Sequence, residues 1–161
     1  MNLEITREAA DGARLSLYGS IPSPYDARPG NHPASWLAQY DTDSWTILAA
    51  LEHDRRVGSA IIVTAVQTVQ QLGGRAGYAL IWDLRVAPKS KRCGVGRALV
   101  RAAEEVALDA GCLGLDVETQ DVNTDACQFY AAVGFQLRTA TRNAYADAPR
   151  EARLMWTRAL E

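Results

Sequence analysis

A strand that runs into a basic, glycine-bearing turn and then into an amphipathic helix constrains this chain more than any other feature. The stretch reads Leu84-Arg85-Val86-Ala87-Pro88-Lys89-Ser90-Lys91-Arg92-Cys93-Gly94-Val95-Gly96-Arg97-Ala98-Leu99. Such a turn presents a row of free backbone N–H groups at the positive end of a helix dipole, which suits a phosphate or pyrophosphate. Gly94 and Gly96 would let the backbone approach an anion that a Cβ would push away. The following helix is specified by an apolar stripe of Val95, Leu99, Ala102, Ala103, Val106 and Ala110. Arg97, Arg101, Glu104, Glu105 and Asp109 face away from that stripe, with Arg101 and Glu105 at ion-pairing spacing. No third glycine completes a dinucleotide fingerprint, and no Gly-Lys-Ser/Thr completes a Walker loop. The competing reading is an ordinary left-handed turn entering a core helix.

The rest of the chain sets that turn in one domain, 1–161, with enough residues for a sizeable core. Seventeen basic against nineteen acidic residues leave a net charge of −2, so nothing pulls the whole molecule toward nucleic acid or an anionic membrane. Three cysteines (Cys93, Cys112, Cys127) lack metal-ligand spacing, and two histidines are too few to complete a zinc site. No metal is therefore expected. Unclustered cysteines, with neither a signal peptide nor a long apolar run, lead to the expectation of a cytoplasmic, soluble protein.

Leu3 to Arg7 alternates apolar and polar residues and predicts a first strand. Residues 19–35 hold four prolines and two glycines, which predicts irregular loop or short turns. Trp45–Leu51 and Val57–Val66 are β-rich runs, joined by Glu52-His53-Asp54-Arg55-Arg56 into a hairpin; Gln67–Gly77 is a polar connection. Tyr78–Val86 is the strand that feeds the turn. After the long helix come a strand over Leu113–Glu118, a helix from Thr124, its N-cap, to Ala132, and strands near Phe135 and Leu154. This order predicts an α+β, three-layer architecture with a single mixed, mostly antiparallel central sheet flanked by helices.

The downstream block completes a pattern: Leu113 to Glu118 as strand, then Asn123, Ala126, Phe129, Tyr130, Gly134 and Phe135. With the basic turn, it resembles the GNAT superfamily of N-acetyltransferases over roughly residues 45 to 160. The turn in that family usually begins with Gln or Arg. Here Lys91 stands first, keeping the positive charge without the planar fork. The resemblance implies acetyl-CoA as cofactor. It also implies that the main chain around Leu84, Arg85 and Val86 pairs with the pantetheine arm like an added strand. The N–H groups from Lys91 through Ala98 (Arg92, Cys93, Gly94, Val95, Gly96 and Arg97 between them) would hold the pyrophosphate, with Lys91, Arg92 and Arg97 supplying charge. Asn123 would contact the pantetheine arm or orient Tyr130. Members of this family are often dimers, so a homodimer is among the expected assemblies.

Acetyl transfer to an amine poses two proton problems. An alkyl amine with a pKa near ~10.4 is ammonium at pH 7, and making it neutral costs about 4.6 kcal/mol. A carboxylate with a raised pKa can take that proton, and a phenol beside the sulfur can protonate the departing thiolate. Tyr130 is the candidate acid; the competing reading makes Phe129-Tyr130 a core aromatic pair. Glu118 and Asp83 are the candidate bases, and together with Trp82 they are candidate acceptor-binding residues. Asp83 could instead be a structural partner of Arg85, and Asp116, on the same face as Glu118, could be solvated.

A narrower resemblance begins at Glu118-Thr119-Gln120-Asp121-Val122-Asn123 and continues through Ala126, Phe129-Tyr130, Gly134-Phe135, Tyr145, Glu151, Ala152 and Trp156. This last third is similar to streptothricin acetyltransferases, which implies acetylation of an amine on a cationic antibiotic and hence resistance. Asp41, Asp43, Asp83, Glu118 and Asp121, with Tyr40, Trp45 and Trp82 for cation–π contact, would suit such an acceptor. Three readings follow: a small-amine acetyltransferase, one acting on a protein amine, or a non-catalytic acyl-CoA-binding sensor on the same fold.

Overall fold

The computed structural model describes residues 2–65 and 75–160, so most of the predicted connection after the hairpin lies outside the described residues. Among the described residues, seven strands form one sheet: β1 (Glu4–Ala9), β2 (Trp45–Glu52), β3 (Arg55–Val63), β4 (Tyr78–Val86), β5 (Gly114–Gln120), β6 (Gln136–Thr141) and β7 (Arg153–Ala159). Their order across the sheet is β1-β2-β3-β4-β5-β7-β6. Only β4 and β5 run parallel; every other pairing is antiparallel, so the expected mixed, mostly antiparallel sheet is the observed one.

Helices α3 (Val95–Asp109) and α4 (Thr124–Ala132) cover one face of the sheet. Helices α1 (Gly12–Tyr18) and α2 (Trp36–Gln39) cover the other. The central strands face both layers, and their side chains divide between them by alternation. Leu48, Ala60 and Ile62 lie under α3, while Ile47, Ile61 and Val63 join Tyr18, Trp36 and Trp45 on the opposite side.

Local corrections to the sequence reading each have a physical cause. The β2–β3 hairpin turns on two residues, His53 and Asp54, with φ of 50° and 64°, and Glu52 already pairs with Arg55. Both central residues are left-handed, as the twist of a tight hairpin requires, although the sequence lacks the usual Asn-Gly signal. Helix α1 lies where no helix was predicted; the Asp11 side chain caps it at Arg14 N, 2.8 Å. The cap of α4 is Asn123 rather than Thr124, its Oδ1 accepting from Ala126 N at 3.3 Å. The buried stripe of α3 includes Val100 and Ala107, whereas Ala110 is exposed. Instead of an Arg101–Glu105 pair, α3 is anchored by Glu104 to Arg158 (2.8 Å) and by Asp109 to Arg7 (2.9 Å).

Candidate active site

The sheet opens where β4 and β5 part. Their parallel pairing runs from Tyr78↔Gly114 to Ile81↔Val117 and stops, while β5 continues against β7 to Gln120↔Arg153. A bulge helps turn β4 aside: Ile62 pairs with Ile81 and Ile61 with Asp83, which leaves Trp82 as an extra residue. The bulge resets the side-chain alternation. Ala79 and Ile81 face α3, as do Leu84 and Val86 beyond the bulge. Trp82 packs on the opposite, aromatic layer. Past Ile81, the β5-facing backbone edge of β4 has no strand partner among the described residues.

The turn after β4 leaves a run of backbone N–H groups at the start of α3. Pro88–Ser90 forms a 3-10 turn, Arg92 has φ 62° and Gly94 has φ 86°, and Gly94 caps α3 without any side-chain hydrogen bond. No protein acceptor meets the N–H groups of Cys93, Gly94, Val95, Gly96 or Arg97 among the described residues. Right- and left-handed residues in succession point such N–H groups into one concavity. Lys91, Arg92 and Arg97 are exposed and form no ion pair among the described residues. The residues present therefore fit a pyrophosphate at the helix terminus and an extended polar arm along the free edge of β4.

Several expected contacts are corrected. The Ala98 N–H is used inside the protein, on Gly94 O at 3.0 Å. Gly96 admits a neighbouring ring: a Cβ there would meet Phe129 Cε1 at 3.0 Å, whereas one at Gly94 would meet nothing within 4 Å. The Val95 side chain is buried in the core, so it offers only its backbone. Arg85 is 5% exposed and turned inward, donating to Asp83 Oδ2 (2.8 Å), Asp26 Oδ1 (3.0 Å) and the Ile21 carbonyl (2.8 Å). Its guanidinium cannot serve a cofactor; only its main chain can. The Asn123 carbonyl is occupied as the cap of α4, the helix that carries Tyr130.

A cavity of about 370 Å³ fills the opening. Trp82, Asp83 and Leu84 of β4 form one wall, and Glu118, Thr119 and Gln120 of β5 form another. Tyr130, Tyr145 and the stretch from Ser23 to Tyr40 close the remainder. Tyr130 is 6% exposed, its ring held edge-on by Phe129 (centroids 5.0 Å) and Phe135 (5.4 Å). Its hydroxyl has no protein partner among the described residues and is not sealed off, so it opens on the cavity it lines. Burial, with the Asp83 charge, pushes its pKa well above the ordinary phenol value.

The two candidate bases differ in environment. Asp83 Oδ2 accepts from both Tyr18 Oη (2.5 Å) and Arg85 Nε (2.8 Å), and is thereby committed to structural partners. Glu118 Oε2 accepts from Tyr145 Oη at 2.8 Å, and Oε1 has no protein partner among the described residues. Burial raises the pKa of Glu118 above its ordinary value, against the Tyr145 hydrogen bond and the charges of Arg153 and Arg28. A carboxylate with raised proton affinity and one free oxygen in a cavity suits proton abstraction. Asp116 is not solvated: it is 1% exposed and held by Arg75 at 2.7 and 3.1 Å.

Tyr40, Trp36 and Trp82 present an aromatic wall, with Tyr40 and Trp82 centroids 5.0 Å apart. Trp45 stands behind them, 3% exposed, and Asp41, Asp43 and Asp121 do not line the cavity, so these four expected acceptor contacts are not at its surface. Sequence reading assigned no role to Arg28, Tyr25 or Asp147. Tyr145 carried one signal, its place in the narrower motif.

The sequence matches the profile of the acetyltransferase (GNAT) family over residues 15–135. Streptothricin acetyltransferase A of Bacillus subtilis is 42% identical over 73 residues, covering 45% of this chain and 42% of that protein, so the match spans less than half of that relative's length. A Bacillus anthracis protein described as a streptothricin acetyltransferase, solved in complex with acetyl coenzyme A, superposes with a TM-score of 0.65. It is 25% identical, over 76% of this chain and 67% of that one. A GNAT family acetyltransferase from Elizabethkingia anophelis, solved with acetyl-CoA bound, is alike in fold, with a TM-score of 0.70 at 19% identity over 99% of both chains.

Proposed function

The chain belongs to the GNAT family of acetyltransferases, and from that premise we propose that it transfers the acetyl group of acetyl-CoA to a primary amine of a small cationic acceptor of the streptothricin type. The observation that carries this reading is the meeting of Glu118 and Tyr130 in one cavity, at the place where β4 leaves β5 and beside the unsatisfied N–H groups of the turn.

Bound acetyl-CoA supplies an acetyl group activated by a thiolate leaving group. The free N–H groups from Cys93 to Arg97 and the cations Lys91, Arg92 and Arg97 bind its phosphates, and the free edge of β4 at Leu84 and Val86 receives its polar arm. Glu118 Oε1 accepts a proton from the acceptor ammonium, directly or through one water, leaving the nitrogen lone pair free to attack. Tyr130 Oη, protonated throughout the neutral range, is the proton donor for the leaving sulfur. Asp83, paired with Arg85, positions the bulged strand and does not act as the base. Trp82 and Tyr40 supply aromatic faces to the cationic acceptor. Because Glu118 must be ionised to accept a proton, turnover is lost as pH falls through its raised pKa.

The test is mass spectrometry of a panel of amines incubated with acetyl-CoA and the protein, streptothricin among them. A gain of one acetyl group on streptothricin, above the enzyme-free control, is expected. Acetylation of another amine alone would remove the antibiotic reading. Acetyl-CoA binding with no product on any amine or protein would replace the enzyme with a sensor.

A further inference from the structure

Arg28 links two segments that are far apart in sequence. Its Nε donates to Asp147 Oδ2 at 2.8 Å and its Nη1 to Glu151 Oε1 at 2.9 Å. Its guanidinium carbon lies 5.5 Å from the Tyr25 ring centroid and 5.3 Å from that of Tyr145. Thus one cation ties the Pro-rich stretch on one side of the cavity to the connection between β6 and β7 on the other. A planar fork can make two ion pairs while stacking on a ring, which a lysine cannot do. The ring it stacks on is the one whose hydroxyl holds Glu118.

Arg153 is the second observation. It lies at the start of β7, opposite Gln120, and its charge acts on Glu118. Its Nε is buried without a hydrogen-bond partner, and it forms no ion pair among the described residues. Glu118 stands two residues before Gln120 on β5, and Gln120 pairs with Arg153, so the Glu118 and Arg153 side chains project from the same face of the sheet. An ion pair with Arg153 would hold the carboxylate ionised and remove it as a base.

We propose that Arg28 is a positioning residue: acting through Tyr145, it keeps the Glu118 carboxylate in the cavity and out of a direct ion pair with Arg153. The proposal rests on the reading of Glu118 as the base. Among the described residues, the charged and titratable groups around Glu118 are Tyr145, Tyr25 and Arg28 on the acceptor side, Arg153 on β7, Tyr130 on α4, and Asp83 on β4, itself paired with Arg85. Asp116, on the same strand, is paired with Arg75. Asp147 and Glu151 are held by Arg28. Of the cations around Glu118, Arg153 forms no ion pair among the described residues.

The sign of one titration decides the matter. The Glu118 carboxyl carbon is followed by NMR in the full-length protein and its variants, with no acceptor or cofactor present. If Tyr145 merely donates a hydrogen bond, Tyr145→Phe raises the Glu118 midpoint. If Tyr145 withholds Glu118 from Arg153, the same change lowers the midpoint by about one pH unit or more. A second change, Arg153→Gln, then reverses the fall. Arg28→Lys keeps the charge but loses the fork, so it lowers the midpoint in the native background and has no effect when Tyr145 is already Phe. A midpoint that rises or stays put in Tyr145→Phe overturns the proposal, as does an Arg28→Lys effect of equal size in both backgrounds. Failure of the base reading is seen separately: Glu118→Gln would then retain wild-type acetylation, whatever the titrations show.

Discussion

At the scale of single residues, Tyr130 shows how packing makes a common side chain chemically specific. Its ring is fixed between Phe129 and Phe135, and its hydroxyl is the one polar atom it presents to the cavity. Tyr130→Phe leaves both ring contacts in place and removes only the proton. Stability should be unchanged, while kcat falls roughly 10²-fold or more with acetyl-CoA affinity near normal. Steady-state kinetics beside calorimetric cofactor binding checks this, and undiminished kcat would remove Tyr130 from the mechanism. Tyr130 and Glu118 stood out in the sequence as candidates because both stand in the segment that resembles the family. The choice between Glu118 and Asp83 was not legible there, since it depends on which carboxylate Tyr18 and Arg85 occupy, and those residues lie on different elements. Tyr145 carried a motif but no role, because its hydroxyl meets a strand 27 residues earlier.

At the scale of elements, the strand-turn-helix unit does two jobs with one backbone. Its bulge at Trp82 frees an edge, and its left-handed Gly94 turns the following N–H groups outward without a capping side chain. A branched residue at φ 86° costs about 1–3 kcal/mol and reshapes the turn. Gly94→Val should therefore weaken acetyl-CoA binding about tenfold or more, read by isothermal titration calorimetry, with little change in the core. Wild-type affinity in that variant would dissociate the turn from phosphate binding. The turn and helix were legible because periodicity and glycine spacing are local signals. The bulge was not, because Ile81-Trp82-Asp83 reads as ordinary alternation until the register with Ile61 and Ile62 is known.

At the scale of the whole molecule, Arg85 joins the acceptor-side stretch to the sheet. A cation 5% exposed gathers Asp83, Asp26 and the Ile21 carbonyl, with its guanidinium carbon 4.8 Å from the Tyr18 ring centroid. Removing it leaves two carboxylates without their partner, and breaking a buried pair of this kind costs about 3–5 kcal/mol. Because Asp83 and Asp26 keep some solvent contact, Arg85→Ala should fall near the lower bound, about 3 kcal/mol in urea unfolding. A loss below about 1 kcal/mol would show that water replaces the arginine at little cost.

Taken alone, the amino-acid sequence determined the order of the strands and the strand–turn–helix unit after them, because each depends on contacts or periodicities within a few residues. The acceptor side was decided only in the tertiary structure. Residues 19–35 read as loop in isolation, yet Arg85 fixes that stretch to β4 and Arg28 fixes it to the β6–β7 connection. Those bonds span 59 to 123 positions along the chain. No local pattern records them: a charge pair at that separation exists only once the sheet has brought its two ends together.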